Sequence, residues 1–187
     1  MKKILLTAVA VFGFAFANAQ ETKFGAKAGL NLSNVTGDNT DDNKMKVGFQ
    51  VGAFANIGIS EQFAVQPEVL FSTQGNKIDG PGDGSVELNY INIPIMAQYK
   101  VADKFTLEAG PQIGFLMSAK LKFDGGSIDV KDQINSTDFG IGVGAGYDVA
   151  ENINLGLRYT IGVSNLNKEG DDKNANSNLA FAIGYRF

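Results

Sequence analysis

From about residue 23 onward, apolar side chains recur on every second position in eight separate stretches. A strand turns alternate side chains to opposite faces, so each stretch predicts a strand with one apolar face. The stretches cover residues 23–32, 46–59, 63–74, 87–100, 105–119, 138–149, 153–164 and 178–187. The last is the plainest. Leu179, Phe181, Ile183, Tyr185 and Phe187 alternate there with Asn178, Ala180, Ala182, Gly184 and Arg186.

The connections alternate in length. Residues 60–62, 101–104 and 150–152 are short turns, whereas 33–45, 75–86, 120–137 and 165–177 are long and rich in Gly, Asn, Asp and Ser. The faces opposite the apolar ones carry Lys27, Gln50, Asn56, Gln66, Glu68, Asn92, Gln98, Glu108, Gln112, Arg158 and Arg186. Alternation alone does not say which face is inside. A water-soluble barrel would fill its interior with the apolar set. An even number of strands, with short turns at one end and long loops at the other, is the layout of a barrel inverted for lipid. The expected fold is therefore all-β, an eight-stranded antiparallel transmembrane β-barrel with its long loops outside.

Aromatic residues strengthen that choice. Phe24, Phe63, Tyr99, Phe105, Tyr147 and Phe187 sit beside the short turns or the chain ends, and Phe49, Phe71, Phe115, Phe139 and Phe181 sit toward the long loops. All share the apolar parity, which predicts two belts at two membrane interfaces. Pro67, Pro94 and Pro111 fall inside strands, where each removes a ladder donor, so local bulges are expected. Tyr90 and Phe54 fall on the polar face and break the pattern.

The first residues predict a cleavable signal peptide over 1–19. Lys2 and Lys3 precede an apolar run from residue 4 to 17, and Ala17-Asn18-Ala19 supplies a small-residue cleavage site before Gln20. Cleavage between Ala19 and Gln20 leaves residues 20–187 as one barrel domain, expected in the cell outer membrane. The net charge is -4 and becomes -6 without Lys2 and Lys3. An acidic chain with no basic tract argues against nucleic acid as a partner.

The chain has no cysteine and no histidine. Disulfides, thiolate metal sites and His-dependent hydrolysis or acyl transfer are excluded. No enzyme activity, cofactor or metal is expected. Loop aspartates such as Asp41, Asp42, Asp171 and Asp172 match no EF-hand spacing and read as solvated loops. Those loops are where an extracellular ligand would bind.

Among inward positions, Glu68, Glu108 and Arg158 should lie at similar depths on the third, fifth and seventh stretches. Two carboxylates in a narrow lumen need a cation beside them. Arg158 is the first candidate, joined by Lys27 or Arg186. Gly140, Gly142, Gly144 and Gly146 on the sixth stretch would leave room for long side chains opposite. An interior of eight strands is just wide enough to be filled by side chains, which favours a satisfied polar core over a proton or ion relay.

The runs Tyr90-Ile91-Asn92-Ile93-Pro94-Ile95 and Leu107-Glu108-Ala109-Gly110-Pro111-Gln112-Ile113-Gly114 resemble the small outer-membrane barrels of Bacteroidetes called PorT-like. Val65-Gln66-Pro67-Glu68 and Leu157-Arg158-Tyr159 are similar to the same family. The resemblance implies that Phe181, Ile183, Tyr185 and Phe187 form a C-terminal signal read by the barrel-assembly machinery. It leaves several roles open: a structural or surface-interaction protein, a narrow channel for ions or small solutes, or an accessory to protein secretion. The expected surroundings are outer-membrane lipid, and the expected oligomeric state is a monomer.

Overall fold

The computed structural model describes residues 22–38, 40–78, 84–169 and 173–187. The expected leader and its cleavage pair, Ala19 and Gln20, lie outside the described residues. Eight long strands form one closed sheet: β1 (Thr22–Gly37), β2 (Asn43–Gly58), β3 (Phe63–Ile78), β4 (Gly84–Ala102), β5 (Phe105–Phe123), β7 (Thr137–Ala150), β8 (Ile153–Gly162) and β9 (Asn174–Arg186). A short β6 (Gly126–Asp129) folds back on β5, and a 3-10 turn (Lys131–Gln133) follows it. All neighbours are antiparallel, and the ring runs β1, β2, β3, β4, β5, β7, β8, β9 and back to β1.

Closure depends on the last strand. β9 pairs with β1 from Gly25 opposite Arg186 to Gly37 opposite Asn174, and with β8 on its other side. No edge of the ring remains open, as a spanning sheet requires in lipid. Phe187 adds one more bond, its backbone N–H donating to the Phe24 carbonyl at 2.8 Å.

The burial pattern is that of a barrel turned inside out. Phe24, Leu30, Phe49, Val69, Leu107, Val143, Leu157 and Ile183 stand exposed on the outer wall, while Asn31, Gln50, Gln66, Glu68, Asn92 and Arg158 are buried within. Across β3 and β4, Phe63 and Tyr99 meet at 4.8 Å between ring centroids near the short turns. Phe49 and Phe71 meet at 6.0 Å toward the other end.

Three expectations change. The strands run well past the apolar stretches: β1 continues to Gly37, β2 starts at Asn43, and β4 and β5 each have 19 residues. A spanning strand needs only about 9–11 residues, so the wall rises beyond the bilayer. There its outer face meets water, and the alternation of apolar and polar residues that marks a strand in lipid disappears. The stretch 120–137 holds the β5–β6 hairpin and the 3-10 turn rather than one open loop.

The prolines cause no bulges. Pairing around Pro67, Pro94 and Pro111 keeps one register, with positions left unpaired between Pro67 and Leu70, between Pro94 and Ala97, and between Val65 and Glu68 on the β2 side. A proline removes one donor from a strand bonded on both sides, and the flanking ladder holds the alignment. The register shifts lie elsewhere, at Met45/Gln50, Asn89/Tyr90, Lys100/Ala102 and Asp148/Ala150.

Tyr90 and Phe54 do face inward, and both have partners there. Tyr90 joins Val35, Leu88, Leu116, Ala119 and Leu166 in a buried apolar cluster at the loop end. Phe54 lies under the Lys27 ammonium, 5.7 Å from ring centroid to Nζ.

Candidate functional site

The lumen is a stack of side-chain layers, and its centre is charged. Arg158 projects from β8 and Glu68 from β3, which are diametrically opposite in the ring. Arg158 Nη1 donates to Glu68 Oε2 at 2.9 Å and Nη2 donates to Oε1 at 2.8 Å, a bidentate pair. Arg158 Nε donates to Glu108 Oε1 at 2.7 Å from the third side of the guanidinium. Lys27 and Gln66 both donate to Glu68 Oε1. Gln98 donates to Glu108 Oε2 at 3.1 Å, and Asn56 ties Gln66 to Gln98 by donating to both.

Two carboxylates thus meet two cations, and the carboxylates accept further amide bonds. That is the condition under which buried charges are tolerated. Local backbone makes the space. A Cβ on Gly144 would lie 3.0 Å from Glu108 Oε1 and 2.6 Å from the Leu157 carbonyl oxygen, and one on Gly142 would lie 3.4 Å from Arg158 Cδ. The inward glycines of β7 let the arginine lie across the barrel.

Arg186 is not part of this cluster. It forms a separate ion pair toward the short-turn end, donating to Asp148 Oδ1 at 2.6 Å, where Asn154 also donates at 2.8 Å. Asp148 alternates with Tyr147 and Val149, so its inward parity was readable; its partner was not, because β7 and β9 are separated by β8. Between the two clusters is a cavity of about 30 Å³ lined by Lys27, Phe54, Glu108, Asn154 and Arg186, room for roughly two waters.

On the other side of the charged layer, neutral groups close the lumen. Asn31 donates to Ser72 at 2.9 Å, Gln74 donates to Ser72 at 2.8 Å, and Asn178 donates to Asn31 at 3.1 Å. Above them lies the apolar cluster of Leu88, Tyr90, Leu116 and Leu166, with Val86, Val130 and Ile134 packed against it. Charged, polar and apolar layers thus follow one another along the lumen. Among those residues, no group of three or more His, Cys, Asp or Glu side chains could hold a metal ion.

The proposed assembly residues Phe181, Ile183, Tyr185 and Phe187 share the lipid-facing side of β9 and are exposed there. Tyr185 and Phe187 meet edge-on at 5.6 Å.

Comparison with known proteins agrees with this architecture. The model of the outer membrane protein beta-barrel domain family matches residues 17–168. The chain belongs to that family. No curated protein sequence matches it. Among solved structures it is similar to Neisserial surface protein A (NspA), with a TM-score of 0.61 and 15% identity over 90% of this chain and 100% of that one. It is also similar to Ail, the attachment invasion locus protein of Yersinia pestis, with a TM-score of 0.54 and 18% identity over 90% of this chain and 100% of Ail. Likenesses this distant show the fold. The chain is an outer-membrane β-barrel protein.

Proposed function

We propose that this barrel is a non-enzymatic, closed outer-membrane protein with a structural or surface-interaction role, acting through the rim and loops beyond its outer wall. What supports this reading is the side-chain filling of the lumen: Arg158 reaches Glu68 on the opposite wall, and Leu88, Tyr90 and Leu116 cluster toward the loop end. A filled interior leaves the outer surface as the place for partners. The barrel is surrounded by outer-membrane lipid, acts as a monomer and binds no nucleic acid, in keeping with its acidic composition. Its β9 face is the feature the barrel-assembly machinery reads. The Tyr90–Ile95 and Leu107–Gly114 motifs support a place among the PorT-like barrels, and a role as accessory to protein secretion, as in one branch of that family, is an alternative.

Planar-bilayer recording tests the closed reading against the other alternative, a narrow channel. Purified protein is expected to give no stable unit conductance. A reproducible conductance that disappears in Arg158→Met would overturn the closed reading and establish a pore through the charged layer.

A further inference from the structure

Three carboxylates of the lumen, Glu68, Glu108 and Asp148, each have an arginine beside them. Asp138 of β7 does not. It is only 9% exposed, and no lysine or arginine among the described residues acts on its charge. The undescribed positions between residues 22 and 187 are Asn, Gly, Pro and Asp, so they supply no cation either. Ser164 Oγ donates to Asp138 Oδ1 at 2.6 Å, and the Asn176 amide bonds to the same carboxyl group. A buried carboxylate is costly unless a positive charge joins it.

Unpartnered oxygens gather around this carboxyl. Asn176 is 4% exposed; its Nδ2 donates to Gln74, and its Oδ1 accepts no hydrogen bond. Tyr90 is 1% exposed, and its hydroxyl has no partner either, although it is close enough to feel the Asp138 charge. Space between these groups comes from Gly114 of β5, which pairs with Asn92 on one side and Asp138 on the other. A Cβ on Gly114 would lie 2.7 Å from Asn92 Oδ1, 3.3 Å from Tyr90 Cδ1 and 3.7 Å from Asp138 Cβ. Three strands thus turn oxygen-bearing side chains toward the one position that has no side chain of its own.

We propose that Asp138, Asn176, Asn92 and Tyr90 bind one monovalent alkali-metal cation inside the barrel, level with the outer aromatic belt. Hard cations take oxygen ligands, and carboxylates and side-chain amide carbonyls are among the commonest. A single carboxylate balances a single positive charge, whereas a divalent ion would bring an uncompensated charge into the lumen. A proton on Asp138 could serve at most one of the unpartnered oxygens; a cation serves several together. Bound there, the ion joins β4, β7 and β9 beneath the apolar cap. The site is independent of the rim-and-loop role proposed above.

The test is urea unfolding of the detergent-folded barrel at fixed ionic strength, with choline chloride replaced stepwise by NaCl. Release of one ion on unfolding should raise the folding constant about tenfold for each tenfold rise in Na+ above its dissociation constant. Asp138→Asn should abolish that dependence, and Asp103→Asn in an exposed short turn should keep it. Gly114→Ala, which puts a methyl group into the shared space, should abolish it as well and serves if Asp138→Asn does not fold. Should neither variant fold, the native chain decides by its response to Na+. Equal unfolding of the native chain in Na+ and in choline would overturn the proposal, as would a dependence that survives Asp138→Asn. A response to Ca2+ without one to Na+ would overturn the monovalent assignment. So would an infrared band of a neutral carboxylic acid in NaCl that disappears in Asp138→Asn, since the proton would then hold the place of the cation.

Discussion

Arg158 grips both carboxylate oxygens of Glu68 across the full width of the barrel, at 2.8 and 2.9 Å, from strands on opposite sides of the ring. The pair acts as an internal cross-tie. Because the Glu68 side chain is wholly shielded from solvent, removing one partner leaves a charge that cannot return to water. Glu68→Ala should cost about 3–5 kcal/mol, read as a shift in urea unfolding of the detergent-folded barrel. The Glu68→Met/Arg158→Met double variant should cost less than Glu68→Ala, since neither member of the tie is then left charged. A double variant that unfolds more readily than the single one would show that the tie does not behave as one unit.

The β7 glycines make a second, steric prediction. Leu at Gly144 would enter space held by Glu108 Oε1 and the Leu157 carbonyl, and overpacking of this kind costs about 1–3 kcal/mol. Gly126→Leu, in the exposed β5–β6 hairpin where an added Cβ meets nothing closer than 3.4 Å, should leave unfolding almost unchanged. Similar losses from the two substitutions would mean that β7 does not need its open inner face.

Orientation can be measured on a single strand. Val143 faces outward midway along β7 between the Phe139 and Tyr147 rings. Val143→Arg should destabilise by about 2–4 kcal/mol and Val149→Arg, beside the short turn, by about 0–1 kcal/mol. Equal penalties at the two positions would contradict the membrane level assigned to this wall.

Assembly gives a different kind of prediction. Removing Phe187 eliminates the backbone bond to Phe24 and the edge contact with Tyr185. Outer-membrane levels should fall further than in Arg186→Gln, which touches only the Asp148 pair. Normal levels of the truncated chain in membrane fractions would remove β9 from its proposed role in delivery.

The apolar cap should respond to truncation as a soluble core does. Leu88 is fully buried in it, so Leu88→Ala should cost about 2–5 kcal/mol and speed amide hydrogen exchange in the outer parts of β4 and β5. Faster exchange confined to the turns would show that the cap does not hold the rim together.

The period-two alternation was sufficient for the number of barrel strands and the parity of nearly every side chain, and the short turns facing long loops then placed the apolar face outward. Number and parity are local consequences of the pleat, and a lipid environment writes them plainly, as in Leu179 to Phe187. Beyond the bilayer, residues such as Asn76 and Asn176 are buried in strands without an apolar partner face, so the pattern stops before the strands do. Pairing across the lumen was beyond local reading as well. Glu68, Glu108 and Arg158 could be set at one depth, yet the pairing of Arg186 with Asp148 rather than with them depends on strand order, tilt and the width of the ring. Likewise, Tyr90 and Phe54 looked misplaced on a polar face until pairing of neighbouring strands set Leu116 beside one and Lys27 beside the other, and closure added Leu166 to the first. The sequence determined the wall by itself, because a strand's two faces are set by its own residues. Only the tertiary structure decided the lumen, because what fills it comes from every strand at once.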